Sequence, residues 1–67
     1  MKANDVKPGM VIDHDSGILS VVEVNTSIHP VLQELMTAID CFPLDDPEYE
    51  VQLVYEPDFE VEATPRS

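Results

Sequence analysis

Apolar and polar positions change rhythm three times along this chain. Met10-Val11-Ile12-Asp13-His14 is a short, mostly apolar run, entered through Lys7-Pro8-Gly9 and left through Asp15-Ser16-Gly17. Proline presets φ and glycine tolerates positive φ, so Pro8 and Gly9 suit the central positions of a type II turn. Gly17 suits the left-handed position of a three-residue hairpin loop. The run is predicted as a strand, with residues 18–25 as its antiparallel partner. In that partner Ile18, Val22 and Val24 fall on one parity and Leu19 and Val21 on the other. Both of its faces are therefore expected to be partly covered.

After Asn25 the rhythm becomes helical. Val31, Leu32, Leu35, Met36 and Ile39 stand at i, i+3, i+4 spacing between Pro30, which suits a first helical position, and Pro43, which ends the pattern. The spacing predicts a three-turn amphipathic helix over residues 30–40, stable only if its stripe docks on the sheet. From residue 48 to 63 the period is two. Tyr49, Val51, Leu53, Tyr55, Pro57, Phe59, Val61 and Ala63 alternate with acids and with Gln52 and Val54. That pattern marks a sheet with one wet face. Paired residues of a hairpin share a face, so a three-residue loop at Glu56-Pro57-Asp58 is expected. It would pair Tyr55 with Phe59, Leu53 with Val61 and Val51 with Ala63, with Asp58 left-handed.

The sum is a mainly β chain of order ββ-α-ββ, a bent antiparallel sheet or small barrel with one short helix. Its 67 residues allow one domain, with loose ends expected at 1–4 and 64–67. Ordering such a chain costs on the order of 100 kcal/mol, which apolar burial must offset. A tightly wound sheet, or a subunit that completes its core against a second copy, follows from that thin margin.

Charge sharpens the picture. Three basic residues against fourteen acidic ones leave a formal charge of −11. That excess disfavours nucleic acid or an anionic membrane as a direct partner. No apolar run approaches the roughly 20 residues of a membrane span, and the N-terminus lacks a secretory apolar stretch, so a cytoplasmic location is expected.

The segment Asn4-Asp5-Val6-Lys7-Pro8-Gly9-Met10-Val11-Ile12-Asp13-His14-Asp15, followed by Ser20-Val21-Val22-Glu23-Val24-Asn25, resembles the start of bacterial elongation factor P. The likeness covers about the first 25 residues and implies the small SH3-like (KOW-type) barrel with which that family opens. Where the family carries a Gly-rich loop bearing a functional lysine, this chain reads Thr26-Ser27-Ile28-His29-Pro30. No functional residue carries over.

Candidate chemistry is sparse. Asp13-His14-Asp15 puts potential metal ligands in a row, but neighbours on a strand point to opposite faces, and two carboxylates make a poor site. Cys41 sits beside Asp40 in an apolar setting that disfavours the thiolate, and His29 before Pro30 suits a turn. No phosphate loop, nucleophile elbow or zinc spacing is present. No cofactor and no enzymatic activity are expected. The acids remain: Glu48, Glu50, Glu56, Asp58, Glu60 and Glu62, joined by Asp45 and Asp46, gather eight carboxylates within eighteen residues. A rigid carboxylate array suits Arg and Lys and speeds association with a basic protein surface. An inhibitor or nucleic-acid mimic of the kind phages encode is the extreme form of that reading. Its rivals are a translation- or ribosome-associated barrel, and an assembly subunit that pairs through Leu32, Leu35, Met36 and Ile39.

Overall fold

The fold is taken from a computed structural model that describes every residue except Ser16, Arg66 and Ser67. Five strands form one open antiparallel sheet: β1 (Met10–His14), β2 (Gly17–Ile28), β3 (Leu35–Pro43), β4 (Val51–Tyr55) and β5 (Ala63–Pro65). Their spatial order is β4-β3-β2-β1-β5, and β4 and β5 are its two edges. The one helical element among the described residues is a single 3-10 turn, Ala3–Asp5.

The entry turn forms as its residues dictate. Gly9 has φ +91°, and the Met10 amide donates to the Lys7 carbonyl at 3.2 Å, closing a type II turn on Pro8 and Gly9. β1 follows with the predicted bounds. In the first hairpin His14 pairs directly with Gly17, which has φ +125°, so two residues rather than three separate the paired positions. Ser16, placed in that loop by the sequence pattern, lies outside the described residues.

The helix expected over residues 30–40 does not form. Residues 29–34 make a loop, and β3 begins at Leu35. The apolar spacing was ambiguous because the inward set of β3 is Leu35, Thr37, Ile39 and Cys41. A threonine and a cysteine within it hide a period of two. As a strand the segment pairs with β2 on one side and, from Thr37 to Cys41, with β4 on the other, so backbone groups directed to either side find partners there. Tertiary pairing of this kind overrides a weak local helical preference.

The expected hairpin over residues 51–63 is also replaced. Leu53 pairs with Ile39, Val51 with Cys41 and Ala63 with Ile12, so β4 and β5 lie at opposite edges. The chain turns at residues 56–59, where the Phe59 amide donates to the Glu56 carbonyl at 3.0 Å. Tyr55 and Phe59 do meet, as rings stacked 4.9 Å apart. The left-handed conformation falls not on Asp58 but on Gln33, at φ 59°. Crossing to β1 brings Val61 onto the core, where it is buried.

At the chain ends expected to be loose, residues 1–4 run alongside this crossing. Amides of Ala3 and Asn4 donate to the Phe59 and Pro57 carbonyls, the Val61 amide donates to the Met1 carbonyl, and Ala3 is fully buried. Thr64 and Pro65 belong to β5. The core is thus Val6, Ile12, Leu19, Val21, Ile39, Cys41 and Val61, with Ala3 beneath.

A carboxylate-lined cleft as candidate functional site

The outer face of the sheet is set by one irregularity in β2. Leu19 and Val21 are buried, so strict alternation would turn Glu23 into the core as well. The register instead shifts between Val21, opposite Cys41, and Glu23, opposite Asp40, leaving Val22 as the extra residue of a β-bulge. The bulge re-aims the strand, as bulges do. Glu23 turns out to solvent, and Val24 turns in, opposite the buried Ile39. The two parities of apolar residues in residues 18–25 therefore mark a change of face at Val22, while around Ser20, buried between Leu19 and Val21, both faces are covered as expected.

Glu23 consequently stands directly opposite Asp40, and Asp40 opposite Gln52 on β4. The Gln52 amide donates to Asp40 Oδ1 at 3.0 Å and fixes that carboxylate. Glu50, in the stretch leading into β4, lines the same open cleft of about 590 Å³, together with Val22, Phe42 and Pro47. Like charges set directly opposite on neighbouring strands are destabilising. The Met1 ammonium pairs with Glu60 at 2.9 Å. Among the described residues no ion pair reaches Glu23, Asp40 or Glu50. Three carboxylates around an apolar rim suit a long cationic side chain, whose stem lies on Val22 and Phe42 while its head meets the acids.

The acids singled out from the sequence do not form one array. Every one of Glu48, Glu50, Glu56, Asp58, Glu60 and Glu62 is exposed, as their parity implies. Only Glu50 reaches the cleft. Glu48 lies in the β3–β4 connection, and Glu56 and Asp58 flank Pro57 at the turn. Glu60 and Glu62 line a second hollow with Asp13, beside β1 and β5. Glu23 and Asp40 were missed. Asp40 read as the end of a helix, and the parity switch around Val22 was the signal that could have found both.

The remaining candidates have structural occupations. Cys41 is buried, and its thiol donates to the Val51 carbonyl at 3.5 Å. Burial pushes that thiol up from its ordinary 9.0, and the neighbouring Asp40 charge pushes it the same way, so it stays protonated. His29 organises the β2–β3 loop: its Nδ1 accepts from the amides of Val31 and Leu32, each at 3.2 Å. Among the described residues no group of three His, Cys, Asp or Glu side chains is placed to hold a metal ion. No described helix is long and apolar enough to cross a membrane. Compared with protein-family models, with curated proteins and with solved structures, the chain matches none.

Proposed function

We propose that this chain is a non-enzymatic, acidic interaction module acting in the cytoplasm, and that its Glu23, Asp40 and Glu50 cleft receives an Arg or Lys side chain from a basic protein surface. The observation that carries the reading is the Glu23–Asp40 juxtaposition. A sheet gains nothing in isolation from two carboxylates set face to face, whereas an incoming guanidinium relieves their repulsion and binds both. The remaining acids supply long-range attraction, which raises the association rate more than the final affinity.

An arginine-rich peptide, followed by fluorescence anisotropy, tests this. Replacing Glu23, Asp40 and Glu50 with Gln, Asn and Gln should weaken capture by about tenfold or more. Removing three charges at Glu56, Asp58 and Glu62 lowers net charge equally and should change affinity far less. Equal losses from the two triple variants would contradict a defined site.

A second reading rests on strand order. A four-strand meander whose fifth strand returns to the free edge of the first is the order of SH3-like barrels, and the Lys7-Pro8-Gly9-Met10 turn leads into it. That order supports an SH3-like fold and, by analogy alone, a translation- or ribosome-associated role. Co-sedimentation with ribosomes that survives loss of the cleft acids would favour it.

A further inference from the structure

The β2–β3 hairpin outruns the rest of the sheet. β4 covers β3 from Thr37 to Cys41, and β1 covers β2 only up to Ser20, opposite Val11. Residues 27–36 therefore project as a two-stranded arm, with Ser27 paired to Met36 and Ile28 to Leu35. The loop at its tip is well tied. The His29 amide donates to the Glu34 carbonyl at 2.8 Å, the Gln33 amide to the His29 carbonyl at 2.9 Å, and the Gln33 side chain to the Pro30 carbonyl. This ordered tip displays Ile28, Val31, Leu32 and Leu35, all between 50% and 79% exposed. Ile28 and Leu35 continue the inward parity of Val24 and Ile39, the face that is buried elsewhere in these strands.

We infer that a second copy of this chain covers the arm, forming a two-fold dimer through Ile28, Val31, Leu32 and Leu35. Charge selects the occupant. Between Glu23 and Asp40 the only acid is Glu34, so the other thirteen of the fourteen lie outside the arm. Two molecules that each carry −11 approach at least cost with these acid-poor segments leading. A basic partner is drawn towards the carboxylates instead, and an anionic lipid surface is repelled by the whole molecule. Area sets the strength. A stable interface buries about 800 Å² on each side, roughly a sixth of this chain's 4636 Å² surface. The arm offers ten residues, eight of them exposed, fewer than the roughly 20–30 a side of such an interface. The dimer is accordingly one that dissociates on dilution. Ile39, which the sequence pattern placed on such a surface, is fully buried in the core and takes no part.

Sedimentation equilibrium of the full chain between about 5 and 500 μM provides the test. The weight-average mass should rise from 7.5 kDa towards twice that value. Because the copies repel, raising salt from about 0.05 to 0.5 M should tighten the dimer, the reverse of an ion-paired interface. Val31→Asp and Leu32→Asp together lie on an exposed loop and should leave the circular dichroism unchanged while weakening association by about thirtyfold or more. Ile28→Thr should act in the same direction. A mass fixed at 7.5 kDa across the range, association unaffected by the tip variants, or weakening by salt would each overturn the inference. So would a monomer that floats with phosphatidylcholine vesicles through the same four residues, which would assign the tip to lipid.

Discussion

β2 and β3 run through two regions that differ in what lies over their inner face. In the body of the molecule Leu19, Val21, Ile39 and Cys41 are buried in one cluster with Val6, Ile12, Val61 and Ala3 of the 3-10 turn. In the arm the same two strands leave Ile28 and Leu35 in the open. The strands stay paired through both regions, across the bulge at Val22, so strand pairing alone does not bury a face. What closes the body is the N-terminal segment and the crossing over residues 56–62, bound to each other through Ala3, Asn4 and Val61. The contrast separates stability from interaction: the body holds the fold, and the arm and the cleft are left available.

The largest effects should fall in the body. Ile39→Ala empties a fully buried position under both neighbouring strands and should cost about 3–4 kcal/mol. A domain of this size has only about 5 kcal/mol to lose, so urea melts should show most of the cooperative transition gone. Leu32→Ala, in the arm, should cost less than about 0.5 kcal/mol. Comparable losses at the two positions would erase the distinction between the regions.

An intermediate effect is expected where body and arm join. Thr37 is fully buried, and its hydroxyl lies 2.9 Å from that of Thr26. Thr37→Val removes the hydrogen bond but leaves Thr26 exposed to water, so a loss of about 1 kcal/mol is expected in chemical denaturation. A much larger loss would mean that the arm and the body unfold as a single tightly coupled unit.

Asp40→Asn should act with the opposite sign. It removes the repulsion facing Glu23 and should stabilise the free protein by a few tenths of a kcal/mol, while weakening capture of a basic peptide. Stability and binding moving together would break the argument that the pair is kept for a ligand.

The smallest effect is confined to alkaline solution. Cys41 and Tyr55 are both raised in the folded chain, chiefly by burial, from ordinary values of 9.0 and 10.0. The folded state therefore holds these protons when the unfolded chain releases them. Their contribution is complete below pH 9 and is lost as pH climbs through the raised folded values. Cys41→Val should flatten the alkaline limb of a stability–pH curve and leave the curve near neutrality with its original slope.

Much of the body could be read directly. The Lys7-Pro8-Gly9 turn, the bounds of β1 and the outward exposure of the even positions from 48 to 62 all follow from local rules, because residue type and conformation coincide there. The failures share a cause. β3 looked helical because Thr37 and Cys41 interrupt its apolar period, and the hairpin over residues 51–63 looked closed because parity fixes sidedness but not the partner strand. Both depend on which strands lie alongside, and that is decided by burial far apart in sequence. The cleft was hidden for the same reason. Glu23 and Asp40 lie seventeen positions apart, and only the bulge at Val22 and the pairing of β2 with β3 bring them face to face.

The most direct test is an NMR titration of the protein with a short arginine-rich peptide at moderate salt. Amide shifts centred on Glu23, Asp40, Glu50 and Gln52, saturating together and fading as salt is added, are the predicted result. Shifts spread evenly over Asp45, Glu60 and Glu62, in proportion to local charge alone, would contradict the account.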